Sequence, residues 1–450
     1  NNNINNNNIN NNINNNINNN NNNINNNINN NSNNNSNNNS NNNNINNIRS
    51  NNNNLPQNKE NKKNEIILAI KSNKEDEDIT LINELHSKIN FFVYSSNDEY
   101  KEEIFNDSII NLKFNDKEEN YKKQVRLPKG KFKIIIEFDK MLTSCKNMFL
   151  NCNKITGLNL SFIDTKNVTD MSHMLDGCTS LNYIKFSNFN TERVKNMEFM
   201  FSNCQSMEEL YLTSFNTQNV IEMSNMFTSC TNLKILDLSS FNTKNVINMP
   251  HMFNNCFNLI EIIFSPLFNN ENAINMNSMF YDCKNIEYLD LSFLKVKKVE
   301  NISAMFYGCS NLKGLTLGHI NAKNVKDMNF LFSFCHNLEI LKLNFENTEN
   351  LEEMNNMFLE CSKLESLDLS SFNTQNVRSM NCMFSKCSKL VNLNLSFFDT
   401  RKCNNNINEL MFDECTQLRE IIINNNIDPK IIKEELIKAN LNENIIKINN

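Results

Sequence analysis

Between residues 140 and 424 apolar positions recur on one schedule, C-x-x-L-x-x-L-x-L-S-x-F-x-T-x-x-V-x-x-M-x-x-M-F-x-x-C. The clearest copy runs from Cys361 to Cys387 through Leu364, Leu367, Leu369, Ser370, Phe372, Thr374, Val377, Met380, Met383 and Phe384. Copies are marked by Cys152, Cys178, Cys204, Cys230, Cys256, Cys283, Cys309, Cys335, Cys361, Cys387 and Cys415, spaced 26, 26, 26, 26, 27, 26, 26, 26, 26 and 28 residues apart. A fixed period of this size marks a solenoid, in which each unit covers the apolar face of the next. Leu367 and Leu369 alternate, which puts both on one face of a short strand. Val377, Met380, Met383 and Phe384 recur at the spacing of one helical stripe. Thr374 stands just ahead of that stripe, where its hydroxyl would cap free helical N–H groups. The pattern predicts an α/β solenoid of about eleven rungs, each a strand, a turn and a short helix.

No rung is expected to stand alone. Its apolar side chains are worth roughly 1.5–3 kcal/mol each when buried, whereas ordering each residue of backbone costs about 1–2 kcal/mol. Stacking supplies the difference, so stability should be cooperative along the array. Eleven strands at ~4.8 Å spacing give a body on the order of 50 Å long.

The flanks read differently. Residues 65–139 show short apolar runs that predict strands near Ile66–Ile70, Asp78–Ile82, Ile89–Tyr94, Ile109–Phe114 and Phe132–Phe138, with a turn signal at Leu127-Pro128-Lys129-Gly130. This small β domain would cap the front of the array. At the back, residues 425–450 form the second cap, with Asp428-Pro429 opening a helix that runs to about Leu441. Residues 1–64 are mostly Asn broken by single Ile and Ser, too poor in apolar surface to offset ordering, and are expected to be disordered. Self-association through this tract is the functional alternative to a tolerated low-complexity expansion.

Composition removes several function classes. A net charge of −6 offers no basic field for nucleic acid. The longest apolar runs fall far short of a membrane-spanning segment. One thiol recurs per rung without a histidine companion, so the cysteines read as small buried side chains rather than metal ligands or disulfides. Cys145 and Cys403 occupy apolar columns, and Cys382 is the thiol expected near solvent. Most methionines fall in the two Met columns and read as filler. His86, His173, His251, His319 and His336 lie in different columns with no acid–base or metal spacing. No cofactor and no catalysis are expected.

The string SSFNTQNVRSMNCMFSKCSKLVNLNLS, beginning at Ser370, closely resembles the BspA-like leucine-rich repeats. The resemblance covers about residues 140–424. It implies a leucine-rich-repeat solenoid with a strand-lined concave face, and a role in adhesion or protein recognition at a cell surface. One column departs from the usual repeat: Phe189, Phe215, Phe241, Phe372 and Phe398 stand where an Asn ladder is common.

If a surface carries the function, it is the strand positions between the leucines. Tyr183, Lys185, Glu209, Tyr211, Ile235, Asp237, Ile263, Tyr288 and Asp290 combine aromatic anchors with a polar surround, as protein-binding faces do. The expected function is a non-catalytic scaffold for a protein ligand, at the cell surface or secreted. An intracellular adaptor is the alternative, to which a large set of unpaired thiols leans.

Overall fold

The computed structural model describes residues 64–75, 77–82, 89–96, 123–138, 141–403 and 409–449, all within one compact unit spanning Lys63–Asn450. The expectations for the Asn-rich tract and for a strand at Ile109–Phe114 fall outside the described residues.

The first strands are β1 (Glu65–Ser72), β2 (Glu77–Ile82), β3 (Ile89–Ser96), β4 (Lys123–Leu127) and β5 (Gly130–Phe138). The sequence pattern shows all but β4, whose single alternation of Val125 and Leu127 is too short to stand out. β5 pairs antiparallel with β1 and β3, and β1 pairs antiparallel on its other edge with β6 (Ile155–Asn159), the first strand of the repeats. The array's leading edge is thereby closed by main-chain pairing, which removes an open strand edge. Lys154 ties the same junction. Its carbonyl accepts the Lys71 N–H, and its Nζ lies 2.8 Å from Glu77, whose carboxyl that contact lowers to about 2. β2 and β4 form a separate antiparallel pair whose Ile79, Leu81, Val125 and Leu127 are buried.

The repeats then contribute β7 (Tyr183–Lys185), β8 (Glu209–Tyr211), β9 (Ile235–Leu238), β10 (Glu261–Phe264), β11 (Tyr288–Val296), β12 (Gly314–Asn321), β13 (Ile340–Lys342), β14 (Phe345–Glu346), β15 (Asn392–Asn394) and β16 (Glu420–Ile423). Consecutive strands pair in parallel, as β6–β7, β8–β9–β10, β11–β12–β13 and β15–β16. Leu210, Leu236, Leu291, Leu317, Leu369 and Leu395 lie inside.

The expected helix in each rung is absent, and the molecule is a β-solenoid rather than an α/β one. In the first full rung, His173 and Gly177 adopt left-handed backbone with φ of 54° and 76°. The N–H groups of Met171, His173, Leu175 and Gly177 reach forward to the carbonyls of Asn196, Glu198, Met200 and Ser202 on the next rung. Those of Met174, Asp176 and Cys178 turn back three residues to Met171, His173 and Leu175. The stretch is thus a row of tight turns whose alternate amides are donated along the array. A helix would keep every amide within its own rung. Two left-handed residues cost roughly 1–2 kcal/mol each where they are not glycine. Four inter-rung hydrogen bonds at about 1 kcal/mol apiece offset that, and burial of the adjacent Met and Phe side chains settles the sign.

The threonines correct the same reading. Thr165, Thr191, Thr217 and Thr374 are buried and cap no helix. Each hydroxyl donates to a carbonyl on the next rung (Asn190, Asn216, Asn242 or Asp399, 2.8–3.2 Å) and accepts the N–H of that same residue at 2.7–2.8 Å. The ladder lapses where the column reads Asn270, Val296 and Ala322. There the Asn270 side-chain amide is buried with no hydrogen-bond partner among the described residues, while its main-chain N–H still reaches the Thr243 hydroxyl at 3.3 Å. The phenyl spine is as the column predicts, with Phe189, Phe215 and Phe241 stacked at 5.9 and 6.4 Å. A second stack from Phe201 through Phe412 keeps ring centroids 5.1–6.1 Å apart.

At the far end, α1 (Pro429–Lys438) begins at Asp428, whose side chain accepts the Lys430 N–H. It is shorter than expected, and a turn at Glu443–Ile445 leads into β17 (Ile446–Ile448), which pairs in parallel with β16. Buried Glu435 of α1 accepts the Met411 N–H at 3.3 Å, standing in for the carbonyl that a further rung would supply.

Two measurements test this account. Thr217→Val keeps the shape but strips the partner from the Asn242 N–H, and should cost about 1–3 kcal/mol in urea unfolding, with Thr217→Ser costing less. Phe306→Asp, at a central position with no exposure, should cost about 3 kcal/mol or more, whereas Leu418→Asp near the end should only fray the last rung. Equal small losses at both places contradict a cooperative stack.

Candidate recognition surface

Strand alternation turns every second side chain of the repeats outward, and parallel pairing brings equivalent positions of neighbouring rungs side by side. Glu209, Ile235 and Glu261 are in register as one column, and Tyr211, Asp237 and Ile263 as the next. The two columns form a checkerboard in which acids and apolar side chains alternate both along and across β8, β9 and β10. Tyr211 is 53% exposed, and its hydroxyl donates to Glu209 Oε2 at 2.8 Å. Burial raises the Tyr211 phenol above its ordinary value, helped by that carboxylate and then by Asp237 and Glu261. Burial likewise raises the Glu261 carboxyl. Asp237 also accepts the Ser239 N–H at 2.8 Å, which turns the chain out of the strand.

The remaining expected residues lie on other sheets. Tyr183 and Lys185 face Gly157 and Asn159 across β6–β7. Tyr288 and Asp290 face Gly314 and Thr316 across β11–β12. Gly314 makes room for the Tyr288 ring, since a Cβ there would lie 3.0 Å from Tyr288 Cδ1. The nine expected residues are therefore spread over three sheets, of which one carries five, Glu209, Tyr211, Ile235, Asp237 and Ile263, and the other two carry a pair each. All nine are exposed or half-buried. Glu261 joins them by register.

The cysteines form a ladder of a different kind. All 14 are free thiols, and those of the repeat column are buried. From Cys178 onward each column thiol donates its S–H to a main-chain carbonyl of the preceding rung, as Cys230 does to Phe201 at 3.0 Å and Cys256 to Phe227 at 3.1 Å. Burial pushes the Cys230 and Cys335 thiols up to about 12. Cys145 is buried as expected and Cys382 is half-buried. Cys403 is only half-buried where a fully enclosed thiol was expected, and it sits at the edge of the longer spacing between Cys387 and Cys415. Among the described residues no group of three or more His, Cys, Asp or Glu side chains is placed to hold a metal ion, and no helix is long and apolar enough to cross a membrane.

Residues 143–265, 233–340 and 314–426 match the family model described as Mycoplasma protein of unknown function, DUF285. The matches together span 143–426, more than half of the chain. The chain belongs to this family. Comparison with curated proteins finds no match, and comparison with solved structures finds none.

The DUF285 repeats carry one surface feature that the columns alone did not suggest. On the turn edge, Tyr281 and Tyr307 stack at 4.5 Å, and Tyr307 also meets Phe334 at 5.1 Å and Phe330 at 6.3 Å. Phe330 and Phe334 both occupy left-handed positions (φ 60° and 61°). A sequence signal existed in the two tyrosines one repeat apart. The other two rings come together only because successive turns reverse the chain.

Mass-counted thiol labelling of the native DUF285 chain tests the burial pattern. Cys382 and Cys403 should react first and slowly, since burial raises both thiols and holds Cys403 at about 11. The repeat-column thiols should react only after denaturation. Rapid labelling of several of these in the folded state contradicts the packing described.

Proposed function

We propose that this DUF285 chain is a non-catalytic recognition scaffold, a cell-surface or secreted adhesion protein of the kind its BspA-like repeats resemble, with a protein as its ligand. The observation that supports this reading is the checkerboard of Tyr211, Ile235, Ile263, Glu209, Asp237 and Glu261 on adjacent strands whose leucines are buried. These side chains contribute little to folding, yet they form a continuous patch of the composition that interfaces use. Four histidines are described, and no ring nitrogen among them bonds a Ser, Thr or Cys side chain; their partners are Asp176, Asn254, Asn277, Asn344, Glu346 and Glu360. The free thiols favour a second reading, an adaptor working in a reducing compartment. A leader or anchor in the complete reading frame separates the two.

The test is capture of partners from host or cell extract by the immobilised chain. Tyr183→Ala with Tyr211→Ala should leave stability within about 0.5 kcal/mol and weaken capture by about 2 kcal/mol, the usual scale for an interface anchor. Lys244→Ala with Lys323→Ala, exposed on other columns, should change nothing. The reading fails if the tyrosine variant keeps every partner while the lysine variant loses them.

A further inference from the structure

The strand face also carries information on the chemistry of its partner. Along the neighbouring column, carboxylates are matched within the array: Glu208 with Lys234 at 2.7 Å, Glu287 with Lys313 at 2.8 Å and Glu339 with Lys363 at 3.9 Å. On the checkerboard this matching stops. Among the described residues, Glu209, Asp237 and Glu261 have no lysine or arginine within ion-pair distance, although β8, β9 and β10 bring them onto adjacent strands. The three acids occupy diagonal positions of this one face, each with an apolar side chain opposite it on the adjacent strand. Between them stand Tyr211, Ile235 and Ile263, which are apolar and partly or largely exposed. Exposed apolar side chains framed by unmatched charge of one sign complement a surface of opposite sign whose long side chains carry apolar stems. Lysine and arginine have that form, and arginine also stacks on tyrosine.

We propose that rungs β8–β10 dock a cationic, extended protein segment rich in lysine and arginine, its basic heads on Glu209, Asp237 and Glu261 and its stems over Tyr211, Ile235 and Ile263. This rests on the recognition reading above and names the class of partner for the same face.

Fluorescence anisotropy of a labelled (Arg-Gly)4 peptide on the full chain tests it. Binding should be visible at about 50 mM salt and largely lost at about 300 mM. Glu209→Gln with Asp237→Asn and Glu261→Gln should raise Kd at least tenfold. Glu208→Gln with Glu287→Gln and Glu339→Gln removes the same formal charge from matched sites and should stay within twofold. An equal loss in both triple variants reduces the effect to overall charge and overturns the proposal, as does no loss in the first. In the capture assay, a partner lost with the tyrosine variant but kept by the checkerboard triple would leave the face in place and overturn its cationic specificity.

Discussion

Everything in this molecule depends on main-chain hydrogen bonds that run from one rung to the next. Met171, His173, Leu175 and Gly177 give their amides forward, and the residues one repeat later do the same. A chain bonded this way has to present the same backbone shape at the same interval, because a rung out of phase leaves its neighbour's donors buried and unmet. The 26-residue spacing that eight of the ten intervals keep, the left-handed residues at fixed positions and the recurring threonine all follow from that condition. So does the need for ends. β1 pairs with the first rung by its edge, and Glu435 offers a carboxylate to the Met411 amide at the last.

The apolar columns were legible because burial leaves a plain mark on composition. Leucine, phenylalanine, methionine and cysteine recur in register and are buried where the pattern placed them. Backbone conformation was less legible. A spacing of three and four fits a helix and equally fits a row of turns that expose the same side. The distinguishing signal lay just before each cysteine, in Asn151, Gly177, Asn203, Asn255, Asp282 and Gly308, residue types that tolerate φ above zero. Phe334, Glu360 and Lys386 blur that signal by adopting the same conformation without the same tolerance. Thr374 misled for a related reason: a hydroxyl seeking N–H groups looks alike whether they belong to a helix start or to the next rung.

For the recognition surface, alternation alone established which side chains face outward. It did not establish which rungs join in a common sheet. The strand ladder is interrupted between β7 and β8 and between β10 and β11, so Tyr183 and Tyr288 share no strand pairing with the checkerboard, although ring contacts still join the rungs across both breaks. The second interruption falls in the one internal 27-residue spacing, where Pro266 and Leu267 lengthen the return from β10. A proline there removes one donor from the ladder, and Leu267 is left 53% exposed.

The asparagines of the repeats show where such an array is free to change. Asn190, Asn216 and Asn242 each accept a main-chain N–H two residues on, and Asn219, Asn245 and Asn376 each donate to a carbonyl of the rung before. These amides close turns and bridge rungs, so their abundance within the array has a mechanical cause that the Asn-rich segment ahead of it need not share. Threonine, cysteine and the phenyl stacks are bound by similar demands. The outward strand positions are less bound: Asp237, Asp290, Asp368 and Asn394 accept the N–H two residues on, but in the column of Glu209, Ile235 and Glu261 the residue type changes from rung to rung. Glu209 can become Ile235 on the next rung and Glu261 on the one after with no change to the ladder beneath. A scaffold whose shape is fixed by the rest of the repeat can therefore vary its recognised partner through these columns alone.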